Sequence, residues 1–237
     1  MYEYDSRIGF SSCDIHRKLT PAGLIDMFQD CSTFQSEDIG FGFDVLERQN
    51  LAWVINYWEI NVSEMPCLCD RVKVGTFPYK INRFFAYRNF YMKNEKGDII
   101  IKANTLWTLL NMEKTVPSRI SREHEEAYSV EEKLDMTYSD RKVEIPQGDD
   151  ISVSHKEAIV VGPHHLDSNK HVNNGQYVKI ALEAAMFEES FKSLRIDYRK
   201  QAVLGDVIVP IVYTKDKTVT VALSDETGGI FSVMEIR

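Results

Sequence analysis

Four cysteines in 237 residues, Cys13, Cys31, Cys67 and Cys69, are too few and too scattered for a disulfide framework. The one residue between Cys67 and Cys69 falls short of the roughly two to four that structural zinc sites place between ligands. Reduced, mostly buried thiols are the expectation, and with them a reducing cytoplasm. No run approaches the roughly 18 apolar residues that a membrane span needs. The opening MYEYDSRIGF has acids at Glu3 and Asp5 and no apolar core, so it does not read as a signal peptide. Positive charge is short as well: 28 Lys and Arg against 36 Asp and Glu leave a net charge of −8. Such a chain repels phosphate backbones and anionic lipid, which argues against bulk nucleic-acid binding. With 12 Gly, 7 Pro and 43% hydrophobic residues, low-complexity and collagen-like classes are excluded. The length allows one large domain or two small ones.

What is present begins with a helix signal over Leu19 to Gly40. Thr20 followed by Pro21 is a cap and first-turn pair, and Gly40 is a natural stop. Leu24, Phe28 and Cys31 recur at helical spacing, with Ile25, Met27 and Phe34 widening the stripe. A helix apolar over so much of its circumference should be enclosed. Strand-like stretches follow at 51–62, 71–78, 83–92 and 99–110, with Asn94-Glu-Lys-Gly-Asp98 as a hairpin turn. One helix followed by a run of antiparallel strands is an α+β pattern. Residues 119–154 are polar, with five Glu between 123 and 132, and read as a charged connection with a short helix.

Beyond it the first pattern returns. Asp14 to Ile25 can be laid on Asp167 to Val178 at an offset of 153; 58–62 and 69–74 lie on 194–198 and 205–210 at 136. The Asn94 hairpin lies on Asp225-Glu-Thr-Gly-Gly-Ile230 at 131. Constant order at nearly constant spacing predicts a duplicated helix-plus-sheet unit.

The densest polar cluster, Pro163 to Asn174, stands directly before the second helix. Asp167, Asn169 and His171 alternate at i, i+2 and i+4, and an extended loop would project them on one side. The helix begins at Asn173 or Asn174, with Tyr177, Ala181, Ala184 and Ala185 as its apolar stripe. Its first N–H groups and its dipole suit a developing negative oxygen. A carboxylate, an amide, an imidazole and backbone donors together suit acyl hydrolysis. The competing reading makes the same Asp and Asn ordinary caps and turn formers. A metal reading of His164, His165, Asp167 and His171 is disfavoured, because adjacent histidines in an extended loop point to opposite faces. The first repeat keeps Asp14 but places His16 and Lys18 where the second has Asn169 and His171, so one functional site per pair is the economical expectation.

The run Leu166-Asp-Ser-Asn-Lys-His-Val-Asn-Asn-Gly-Gln-Tyr177 resembles the L-D-x-N-x-H-V-N-N-x-x-Y signature of the acyl-acyl-carrier-protein thioesterases of plants and bacteria. Ile196-Asp-Tyr-Arg-Lys-Gln-Ala202 resembles their second motif, E-Y-R-R-E-C in plants. The resemblance implies an α+β fold of two tandem hotdog units, each an antiparallel sheet wrapped round a long helix. An N-terminal unit, 1–118, would supply an acyl tunnel around Leu24, Phe28 and Trp53; the linker 119–154 would join it to a catalytic unit, 155–237. The implied activity is hydrolysis of fatty acyl-acyl carrier protein to free fatty acid, with water as co-substrate and no metal or organic cofactor. Asp167, Asn169 and His171 carry over as catalytic residues. The family's Glu falls on Gln201 and its Cys on Ala202; an amide can position water but cannot take a proton at neutral pH.

The implied partner is acyl carrier protein. Such carriers are acidic, so docking on this acidic chain calls for a local basic cluster, with Lys170, Lys179, Arg195, Arg199 and Lys200 as candidates. No nucleic acid or membrane span is expected, and a homodimer is allowed but not required because the fused pair already mimics one. Rival expectations are an acyl-coenzyme A thioesterase sharing the phosphopantetheine arm, a non-catalytic acyl-binding module and a hotdog dehydratase.

Overall fold

A computed structural model describes residues 1–187 and 191–237. The chain divides into two compact units, Met1–Tyr138 and Ser139–Arg237. In the first, strand β1 (Tyr2–Arg7) precedes the long helix α1 (Pro21–Asp38) and a short helix α2 (Phe43–Arg48). Strands β2 (Leu51–Val62), β3 (Arg71–Ile81), β4 (Phe85–Lys93) and β5 (Ile99–Asn111) follow, then β6 (Val116–Pro117) and helix α3 (Arg122–Ala127). They pair antiparallel in the order β1-β3-β4-β5-β2, with β6 on β5. The second unit contains β7 (Ser152–His155), β8 (Ile159–Val160), helix α4 (Asn174–Ala185), β9 (Ser193–Tyr198), β10 (Val207–Lys215), β11 (Thr218–Ser224) and β12 (Ile230–Ile236). Its order is β7-β10-β11-β12-β9, with β8 also on β10. The two orders are the same if β7 and β8 stand in for β1. Each unit is a hotdog, an antiparallel sheet packed round one long helix.

Helix α1 forms where its cap signals place it. Thr20 Oγ1 accepts from Gly23 N–H at 3.1 Å, and Pro21 fills the first turn. Leu24, Ile25, Phe28 and Cys31 are fully buried. Phe28 packs on Trp58 and Phe90 with ring centroids 5.9 and 5.3 Å away, and Trp58 meets Phe90 at 5.1 Å. Alternation puts Trp58 and Ile60 of β2 on this side of the sheet. The expected stripe is too wide at Phe34, which is 42% exposed and meets the edge of Tyr4 at 5.4 Å. Ser32 and Gln35 are buried instead, and Gln35 Oε1 and Thr76 Oγ1 accept from the buried Arg88 guanidinium. Burial holds the Arg88 pKa down at about 10.

The polar stretch 119–154 packs more than its composition suggests. Ile120, His124 and Tyr128 are buried, and Ser121 caps α3. Leu134 N–H and Tyr138 O–H both donate to Asn89 Oδ1 at 3.0 Å, fastening the end of the first unit to its own sheet. In the second unit the Arg195 and Arg199 guanidiniums donate to the carbonyls of Asp140 and Val143, both at 2.6 Å. These hydrogen bonds run to a side-chain amide in the first unit and to backbone carbonyls in the second, and hydropathy does not register them.

Candidate active site

The loop before α4 is a tight turn, not the extended segment expected. Asp167 N–H donates to His171 O at 2.8 Å, Leu166 and Val172 form a bridge, and Lys170 takes φ 63°. Asp167 Oδ1 accepts from Asn169 N–H at 2.8 Å and His171 N–H at 3.2 Å. Short polar side chains favour such turns because they replace lost backbone partners. The carboxylate therefore builds the turn that presents Asn169 and His171. Asn169 is exposed, Asp167 and His171 are half-buried, and neither the Asn169 nor the His171 side chain has a hydrogen-bond partner among the described residues.

The second motif lies against this turn. Val172 N–H donates to Ala202 O at 2.9 Å, and His171 bridges Val203. Gln201, just before, is exposed and free of hydrogen bonds among the described residues. It therefore does not serve to satisfy a buried backbone group. Tyr177 on α4 makes the connection: its hydroxyl accepts from Ala202 N–H at 2.8 Å, and burial pushes its pKa up to about 12. Sequence reasoning counted Tyr177 as apolar stripe. The signal was a tyrosine among alanines, a ring carrying a polar handle where phenylalanine would have packed equally well.

Two further expectations change. Asn173 is the cap, and it uses the helix donors: Gly175 N–H goes to Asn173 Oδ1 at 2.8 Å and Gln176 N–H to Asn173 O at 2.9 Å. The exposed Asn169 amide is thus a better placed donor than those two backbone groups. His164 and His165 do not diverge; Pro163 starts a 3₁₀ turn that brings their rings to 3.9 Å. His165 Nδ1 accepts from Gly162 N–H at 2.9 Å, and burial lowers its pKa. Among the described residues no group of three or more His, Cys, Asp or Glu is arranged to hold a metal ion. No described helix is long and apolar enough to cross a membrane.

The basic cluster expected beside the site is already occupied. Arg195 pairs with Glu235, Arg199 with Asp197, Lys200 with Asp225, and Lys179 reaches Glu183 at 4.0 Å. Lys170 alone of the five has no partner among the described residues.

Residues 1–128 match the acyl-ACP thioesterase N-terminal domain, and residues 148–228 match the acyl-ACP thioesterase C-terminal domain. The chain belongs to the acyl-ACP thioesterase family. It is 22% identical over 231 residues to oleoyl-acyl carrier protein thioesterase 2 of Arabidopsis thaliana, covering 90% of this chain and 62% of the relative. It is 27% identical over 173 residues to the acyl-[acyl-carrier-protein] hydrolase FATB2 of Cuphea viscosissima, covering 68% and 41%. The chain thus spans less than two thirds of these curated relatives. Among solved structures, an acyl-ACP thioesterase from Bacteroides thetaiotaomicron superposes with a TM-score of 0.85 at 21% identity, covering 99% of this chain and 96% of that one. The 12:0-ACP thioesterase from Umbellularia californica gives 0.82 at 18%, covering 100% and 96%. At such identities the superpositions establish the tandem hotdog fold.

Proposed function

We propose that the chain hydrolyses the thioester joining a fatty acyl group to the phosphopantetheine arm of acyl carrier protein, releasing free fatty acid. The observation that carries this reading is the Asp167 turn, which holds, two residues apart before α4, an amide and an imidazole without hydrogen-bond partners among the described residues. Family membership supplies the reaction class. In the proposed chemistry a water oxygen attacks the thioester carbonyl carbon and the carbonyl electron pair moves onto oxygen. The Asn169 amide donates to that oxygen. His171 takes the water proton and returns it to the departing sulfur as the carbon–sulfur bond breaks. Asp167 positions both through the backbone, and Gln201 orients the water without taking its proton. Exposed Val203 and Leu204 beside His171 offer apolar contact to the arriving acyl thioester. Of the residues expected to line an acyl tunnel in the N-terminal unit, Leu24 and Phe28 are fully buried in the packing of α1 and Trp53 is half-buried. The cytoplasm is the proposed location.

Steady-state hydrolysis of acyl-ACP, acyl-coenzyme A and acyl-pantetheine of several chain lengths tests the reading. Carrier-bound substrate should give the highest kcat/KM. Equal or better turnover of the coenzyme A thioester would replace the carrier, and no turnover of any would defeat the assignment.

A further inference from the structure

The N-terminal unit contains the same turn with different chemistry on it. Asp14 Oδ1 accepts from His16 and Lys18 N–H at 2.8 and 2.9 Å, Asp14 N–H donates to Lys18 O, and Arg17 takes φ 63°. Here the loop is apolar and basic. Ile15 at the tip is 87% exposed, and Phe10, on the 3₁₀ turn leading in, is 86% exposed. The matching residues of the second unit are Ser168 and Pro163. Leaving a phenylalanine and an isoleucine this bare forgoes the burial that stabilises such side chains in a core. Beside them Arg17 and Lys18 are exposed and have no ion pair among the described residues. Arg7 gives only its Nε–H, to Cys69 O at 2.9 Å. The loop's one carboxylate, Asp14, and the neighbouring Asp70 each have an oxygen committed to backbone N–H groups.

We propose that this loop, 7–18, is the surface on which acyl carrier protein docks, with Phe10 and Ile15 as apolar contacts and Arg17 and Lys18 as the cations that meet its acidic face. The inference rests on the proposed function for the identity of the partner. Charge complementarity selects it: the chain carries −8 overall, and this loop holds cations free of partners, whereas those beside the second unit's turn are mostly paired. A second copy seated face to face here would set the same cations against one another. A carrier that must leave after each turnover needs only a small, charge-steered interface.

The test uses the whole chain, a double charge variant (Arg17→Glu with Lys18→Glu) and a double apolar variant (Phe10→Ser with Ile15→Ser). Holo acyl carrier protein binding is measured directly, alongside kcat/KM for acyl-ACP and acyl-pantetheine. Each variant should weaken carrier binding by about tenfold or more and lower the ratio of the two kcat/KM values to match. The wild-type dependence of acyl-ACP KM on ionic strength should shrink in the charge variant. Carrier binding and ratio unchanged in both variants would overturn the proposal. So would loss of binding to phosphatidylglycerol vesicles in the apolar variant with an unchanged ratio, which would make the loop a membrane contact. Carrier binding that depends on the loop in a chain that hydrolyses nothing would sink the proposed function and leave this surface standing.

Discussion

The two turns, one in each unit, share a hydrogen-bond skeleton to within a few tenths of an ångström. Asp14 and Asp167 each close a turn whose fourth residue has φ 63°, and each turn leads into a capped helix. Leu19 N–H meets Pro66 O as Val172 N–H meets Ala202 O, and Cys67 N–H meets Asp70 as Val203 N–H meets Asp206. The scaffold therefore does not decide which unit reacts. It fixes where side chains stand, and two substitutions on it, His16 for Asn169 and Lys18 for His171, separate a basic surface from a candidate catalytic set. The aspartate common to both must be counted as architecture first.

The largest effect should come from the residues that differ. His171→Ala should lower kcat on acyl-pantetheine by about 10²–10⁴, the usual worth of a general acid–base group, with melting temperature unchanged. His16→Ala, at the position matching Asn169, should change it less than about twofold. Normal turnover in a folded His171 variant would erase the functional distinction between the turns.

The helices offer the next contrast. Phe28 on α1 is fully buried between Trp58 and Phe90, whereas α4 buries the smaller Val178 and Ala181 at its centre. Phe28→Ala should cost about 3–5 kcal/mol, the range for emptying an aromatic core site. Tyr177→Phe keeps the ring and loses one hydrogen bond to Ala202, so it should cost only about 1 kcal/mol. It should nevertheless reduce kcat, because Ala202 carries the chain that positions Gln201. Denaturant unfolding of both variants checks the order.

Much of this architecture is readable from residues alone, and particular elements say why. Thr20-Pro21, the strand over 51–62 and the Asn94 turn are local signals, and each was found where its chemistry put it. The repeat offsets were visible because turns and caps tolerate few residue types. What escaped depends on partners distant in sequence. Gln35 turns inward to Arg88, 53 residues further on, while Phe34 beside it stays partly exposed. The cations flanking the second motif find Glu235, Asp197 and Asp225. At the candidate site the turn escaped: spacing at i, i+2, i+4 suggested an extended loop, while Asp167 folded the chain back on itself.

A third contrast separates architecture from chemistry at one residue type. Asp14→Ala and Asp167→Ala each remove an acceptor from two backbone N–H groups, and each should cost about 1–3 kcal/mol. Only the second should also depress kcat on acyl-pantetheine, since only its turn presents Asn169 and His171. Asp→Asn at either position retains the accepting oxygen and should restore most of the stability. If Asp167→Asn is stable but inactive, the carboxylate charge itself takes part in the reaction. If both Ala variants lose activity equally, the turns act on the reaction through the fold.

The smallest effect concerns titration. Among the described residues each unit contains one buried histidine, His124 and His165, and burial lowers the pKa of both. Their surroundings differ. His124 Nδ1 lies 2.6 Å from Ser121 Oγ with Nε2 unpartnered among the described residues, while His165 Nδ1 accepts a backbone N–H. A histidine whose folded pKa lies below its unfolded value near 6.5 binds its proton first in the unfolded chain. Stability is then full above that value and falls as the pH drops through it, continuing down to the folded pKa. Protonation at His165 also forfeits the Gly162 hydrogen bond, since both ring nitrogens become donors. At His124 the serine hydroxyl can reverse and accept, so there the loss is desolvation alone. Replacing either histidine by Gln should therefore flatten the decline of melting temperature between pH 7 and 5, more at position 165 than at 124. An unchanged slope in both would place the acid sensitivity elsewhere, and a larger change at 124 would mean that its unpartnered Nε2 dominates.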